Sequence, residues 1–149
     1  MSTIAVPFRL DATARAEHLH EFNQRAEILW FGFAGQFAEP GEAVVTFDRL
    51  SQGALGGGGT KAVNGGVIAA GFDAAFVLAG LGHYEPKVVV TLELSVKFMS
   101  LALADRPLAF RAHVVRSARN FAFVEGSLGA LDGTGVPFAI ASGMVAPGR

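Results

Sequence analysis

Gly65-Gly66-Val67-Ile68-Ala69-Ala70-Gly71-Phe72-Asp73-Ala74-Ala75-Phe76-Val77-Leu78-Ala79-Gly80-Leu81-Gly82 has the length of a helix and is apolar on every side except at Asp73. A helix apolar all round is buried all round, so this stretch predicts a central helix over 65–82. Asp73 is the only charged side chain between Lys61 and Glu85. Burying a carboxylate is costly unless hydrogen bonds or a cation compensate, so its presence needs a reason. On its face, one or two turns away, stand Gly66, Ala69 and Ala70, while Phe72, Ala75 and Leu78 lie on the other side. Side chains that small allow a substrate or another subunit to come close to the helix backbone.

The rest of the chain falls into place around that helix. After His83-Tyr84-Glu85-Pro86, residues alternate as in strands over 87–99, 108–116, 121–131 and 136–145, with Asp132-Gly133-Thr134-Gly135 as a clear turn. Upstream, Asp11 is a helix cap, and Ala12, Ala16, Leu19, Phe22 and Ala26 recur at helical spacing, predicting a first helix over 12–25 within an N-terminal segment 1–27. From Ile28 to Phe47 the aromatic and β-branched residues, broken by Glu39-Pro40-Gly41-Glu42, read as two strands about a turn. Residues 51–63 form a glycine-rich loop around Gly56-Gly57-Gly58-Gly59. It is not a phosphate loop, because Thr60 precedes Lys61 and the Lys-Ser/Thr order is missing. These elements predict one α+β domain over 1–149, an antiparallel sheet wrapped around a central buried helix.

Composition limits the function. The chain of 149 residues has no cysteine, which excludes disulfides, thiolate metal sites and cysteine nucleophiles. Twelve basic residues against 13 acidic ones give a net charge of -1 with no basic cluster, arguing against nucleic-acid or membrane partners. Charged residues are 17%, below the usual value of about 25%, and 51% of the chain is hydrophobic. The stretch from Val67 to Leu81 is too short to span a bilayer, and the first 15 residues lack the order of a secretory signal. The expectation is a cytoplasmic protein that hides apolar surface in a homo-oligomer.

Asn64-Gly65-Gly66 opens the central helix, so free backbone N–H groups and the positive end of the helix dipole sit at its start. One helix thus offers N–H donors for an oxyanion and, two turns on, a carboxylate that can act as base or nucleophile at a carbonyl. A satisfied structural aspartate after a glycine loop is the plainer reading of the same residues. His18, His20, Glu17 and Glu21 of the first helix read as a solvated face rather than a metal site. His83 and Tyr84 either line a site mouth or sit in a loop, and His113 reads as a surface residue. Glu93, Ser95 and Lys97 share Thr91's face, which turns Thr91 outward unless a bulge reverses it. No Gly-x-Ser-x-Gly elbow occurs, and the 13 phenylalanines, without interleaved basic residues, read as core.

The run from Asn64 to Phe76, followed by Val90-Thr91-Leu92-Glu93-Leu94-Ser95-Val96-Lys97-Phe98-Met99, resembles the PaaI-like branch of the hotdog-fold thioesterases over about residues 28–146. That family shows His-Gly-Gly, an apolar stretch and then Asp. The resemblance implies a hotdog fold and hydrolysis of acyl-CoA or related acyl thioesters in a homodimer or homotetramer, with no metal or organic cofactor. It implies that the Gly65 amide, with Gly66 and Asn64 beside it, holds the thioester oxygen and that Asp73 activates water or attacks directly. Thr91 of the facing subunit would hold the water, and Arg119 would contact the CoA phosphates. Asn64 stands where the family has histidine, so any role that needs a titrating imidazole is lost. A non-catalytic acyl-binding or assembly module of the same fold is the alternative; a hydratase or dehydratase, which leans on that histidine, ranks below it.

Overall fold

The structure, a computed structural model, describes residues 4–56 and 60–148. Helix α1 (Ala12–Phe22) leads to a short helix α2 (Ala26–Phe31) and strands β1 (Phe33–Ala38) and β2 (Glu42–Phe47). The long helix α3 (Gly65–Leu81) follows, then β3 (Val89–Phe98), β4 (Leu108–Ser117), β5 (Ala122–Ala130) and β6 (Ala139–Pro147). The strands form one antiparallel sheet in the order β1-β2-β4-β5-β6-β3. α3 touches every strand. This is the hotdog fold that the sequence predicts.

The alternation explains why the sheet closes on α3. In β4, Leu108, Phe110, Ala112 and Val114 are buried while Arg111 and His113 point the other way. Phe110 meets Phe72 of α3 edge to face at 5.3 Å and lies about 6 Å from Phe33 and Phe47. Gly71 permits that approach. A Cβ there would stand 2.1 Å from the Phe110 ring, which is fully buried and held by the other rings. Gly71→Ala is therefore expected to destabilise the fold by about 2 kcal/mol even after the gain of about 1 kcal/mol in helix propensity, read as a lower urea midpoint.

The first helix begins where expected, with the Asp11 carboxylate accepting from the Ala14 N–H at 2.8 Å. It ends earlier, at Asn23, whose amide exchanges two hydrogen bonds with the backbone of Gly35 in β1 (3.1 and 2.7 Å). That clamp ties α1 to the sheet and lets the chain turn into α2. Here the expected strand is corrected: Ile28 to Phe31 are helical, and only Phe33 onward is extended. Gly32 makes the switch, with φ of 73° at the helix C-terminus and its carbonyl accepting from the Asp48 and Arg49 N–H groups. The glycine-rich stretch carries one 3-10 turn at Gln52–Ala54 and a bridge between Leu55 and Val63. Of the four-glycine run, Gly57, Gly58 and Gly59 lie outside the described residues. At the last turn, Asp132 accepts from the Thr134 N–H and hydroxyl, with Gly133 and Gly135 at positive φ.

Candidate active site

Only the second half of α3 is enclosed. From Ala74 to Leu81 every residue is buried, whereas Gly65, Gly66 and Asp73 are exposed and Ala69 and Ala70 half-buried. The expectation of a helix buried all round is corrected accordingly: the sheet covers the side with Ile68, Phe72, Ala75 and Leu78, and the small-residue stripe stays bare. In the single chain Asp73 therefore carries no burial penalty.

Asp73 sits on the rim of a cleft of about 160 Å³ between α2 and α3. The cleft's buried lining is Phe22, Ile28, Phe33, Ala74 and Val77; Arg25 and Glu27 share the rim. Arg25 is pinned in the wall, its Nη2 donating to the Lys87 carbonyl at 2.7 Å and its guanidinium 5.8 Å from the Phe22 ring. Sequence reasoning found Asp73 and placed Ala70 on its face but missed the α2 side of the cleft, because α2 read as a strand. Glu27 in the first turn and Gly32 after the last were the available signals.

At the start of α3, Asn64 is the cap: its Oδ1 accepts from the Gly66 N–H at 2.7 Å. Gly66 is thereby removed from the expected pair of free donors. The Gly65 N–H donates to no group among the described residues. Eight residues of helix put Gly65 and Asp73 about 12 Å apart. A carboxylate and an amide acting on one carbonyl must each approach to about 3 Å, so one chain's pair does not serve the same carbonyl.

The other candidates scatter. The β3–β6 register slips between Thr91 and Glu93, so a bulge does reverse the face there. Thr91 pairs with buried Val145 and points toward α3, while Glu93, paired with Met144, points away. The Thr91 hydroxyl is covered and has no partner among the described residues, so in this conformation it is not presented to a facing subunit. Arg119 is exposed on the β4–β5 turn, at the end of the sheet where Tyr84 donates to the Ala118 carbonyl. His18 is corrected from the solvated face: it is buried, its Nε2 3.1 Å from the Tyr84 carbonyl. Among the described residues no three His, Asp or Glu side chains converge as a metal site would require.

His83 is corrected as a residue of the site mouth. It lies past the C-terminal end of α3, 4% exposed, its ring 5.9 Å from that of Phe8. Neither ring nitrogen has a hydrogen-bond partner among the described residues. Burial, helped by the Arg9 charge, pushes its pKa down to about 4. Between that value and the ordinary 6.5 of the unfolded chain, the unfolded state holds a proton that the folded state refuses. Stability is thus complete above pH 6.5 and falls as the pH drops toward 4, by about 3 kcal/mol. Urea midpoints at pH 7 and 4.5 should show this slope in the wild type, and His83→Leu should flatten it.

A family model described as thioesterase superfamily matches residues 60–136, more than half of the chain, including all of α3, Asp73 and Thr91. The chain belongs to the thioesterase superfamily. No curated protein matches it. Solved structures share its fold at low identity. A thioesterase family protein from Silicibacter pomeroyi is 20% identical with a TM-score of 0.75, covering 89% of this chain and 96% of its own. The E. coli PaaI protein from the phenylacetic acid degradation operon is 17% identical with a TM-score of 0.77, covering 93% and 96%. Zebra fish thioesterase superfamily member 2 is 16% identical with a TM-score of 0.72, covering 93% and 99%. Membership supports thioester hydrolysis in general as the chemistry of this chain. No helix among its described residues is long and apolar enough to cross a membrane.

Proposed function

We propose that the protein hydrolyses acyl-CoA or related acyl thioesters, with Asp73 as the base or nucleophile and the Gly65 N–H as the oxyanion donor. The observation that carries this reading is an exposed carboxylate on the rim of an apolar cleft, in a chain of the thioesterase superfamily. The apolar lining suits an acyl chain. The carboxylate stands where the thioester carbonyl would emerge.

The separation of about 12 Å along α3 shapes the rest of the proposal. Two copies with their central helices antiparallel and bare stripes facing would bring the Asp73 of each to the Gly65 of the other. The stripe of Gly66, Ala69 and Ala70 is small enough for that approach, and β3 is an edge strand of ten residues open to another strand. Exposed Phe98, Met99 and Leu101 beside it are apolar surface that such a homodimer, or a homotetramer built from it, would cover. In the assembled pair the facing subunit would cover Asp73. Asn64 would act as the cap that orients Gly65, and Arg119, exposed at a turn, would meet the CoA phosphates. A location in the cytoplasm goes with a CoA-linked substrate and belongs to the same proposal.

The test is a panel of acyl-CoA esters assayed by thiol release on the wild type and on Asp73→Asn. Turnover that depends on Asp73 supports the proposal, and turnover that survives the substitution overturns its chemistry. Binding of the esters without any turnover would favour the acyl-ligand module instead, a reading that Asn64 in place of histidine keeps in play.

A further inference from the structure

We infer that Phe31 sets the length of the acyl group by standing as a partition between two cavities along α3; this rests on the thioester-hydrolase reading above. Val67, Ala70, Ala74 and Val77 recur at helical spacing and form one stripe of α3. The last three line the Asp73 cleft of about 160 Å³. Val67 lines a second cavity of about 420 Å³, bounded by Trp30, Arg49 and Ala54. Among the described residues Phe31 alone lines both.

The partition is braced from behind. The Phe31 ring stacks on Phe33 at 5.3 Å with an interplanar angle of 15°. Phe33 is 3% exposed and packs in turn on Phe47 and Phe110. Phe31 therefore cannot swing back into the core to make room, because the core behind it is filled with rings. An apolar cavity of about 150 Å³ holds a group the size of benzene. With Phe31 in place the cleft beside Asp73 accepts an aryl or short acyl group, and a longer chain meets the Phe31 ring before it reaches the larger cavity.

Removing the ring should join the two spaces. The experiment compares kcat/KM for benzoyl-CoA, hexanoyl-CoA and dodecanoyl-CoA on the wild type, Phe31→Leu and Phe31→Ala. The wild type is expected to favour the two small esters over dodecanoyl-CoA by about tenfold or more, since each methylene an apolar pocket fits or rejects is worth about tenfold or more. Phe31→Ala should raise the dodecanoyl-to-hexanoyl ratio by about tenfold, with Phe31→Leu between. Adding Val67→Phe to Phe31→Ala refills the second cavity and should bring the ratio back. An unchanged ratio in folded Phe31→Ala, or in Phe31→Leu if the alanine variant does not fold, overturns the inference, as does a wild type indifferent to chain length. If the wild type hydrolyses none of the three esters, the hydrolase reading fails by itself. Calorimetric affinities of the same esters then decide the partition separately, by whether Phe31→Leu and Phe31→Ala shift binding toward the long chain.

Discussion

Asp73→Asn is expected to lower kcat/KM for every thioester the protein cleaves by about 10³-fold while leaving the urea midpoint within about 0.5 kcal/mol of the wild type. The two halves of that result have different causes. Asp73 is exposed in the single chain and has no ion pair among the described residues, so the amide replaces a group that the fold does not lean on. The chemistry, by contrast, loses the only carboxylate on α3. Water at the scissile carbonyl then has no base, and an asparagine side chain neither accepts a proton at neutral pH nor attacks. Steady-state assays with thiol detection, paired with equilibrium unfolding of the same samples, check both halves. A large loss of stability would show that the carboxylate has a structural partner.

Gly65→Pro is expected to lose about 10²–10³-fold in kcat, the usual effect of deleting one oxyanion donor. Proline is the informative substitution because it removes the N–H without disturbing the helix. Gly65 is the first helical residue, where proline is at home, and Asn64 before it has φ of -59° and ψ of 138°, the region a residue preceding proline prefers. A Cβ at Gly65 meets the Phe98 ring at an ordinary 3.5 Å. The same variant tests how the site is shared. Unfolding and refolding an equal mixture of Gly65→Pro and Asp73→Asn chains should recover about a quarter of wild-type activity, because half of the dimers are mixed and each of those has one site with both groups intact. If one chain supplied both groups to its own site, the mixture would stay as inactive as its components.

The parts of this molecule that could be read in advance are those where a long periodic signal and its punctuation agree. α3 announces itself by 17 residues whose apolar character only Asp73 interrupts and by Asn64 at its start. The strands from β4 to β6 are marked by period-two alternation and by the Asp132-Gly133 turn. α2 was hidden for the opposite reason. Its six residues make fewer than two turns, too few for a helical period, and Trp30 and Phe31 are types that strands favour. With α2 went the cleft, since Ile28 and Phe31 reach it only from a helix. Asp73's identity was visible but its surroundings were not, because local sequence does not reveal which side of a helix the sheet leaves bare. His83 shows the same limit: its burial comes from Phe8, a residue 75 positions away in the chain.

The bulge in β3 was hidden by the very regularity of its sequence. From Val90 to Phe98 apolar and polar residues alternate without interruption, yet Val90 and Leu92 point outward while Leu94 and Val96 pack inward. Leu92 is the surplus residue, the one position without a partner across the ladder to β6. A chain lacking it would keep Val89 and Thr91 on one side of the gap, and Leu94 and Val96 on the other, all aimed at α3. Loss of Thr91 or Glu93 would remove the bulge equally, with Leu92 taking the vacated place and Leu94 and Val96 still facing α3. A one-residue deletion from Thr91 to Glu93 thus leaves both halves of the strand facing α3, whereas the same deletion at Ser95, beyond the bulge, would turn Val96 outward.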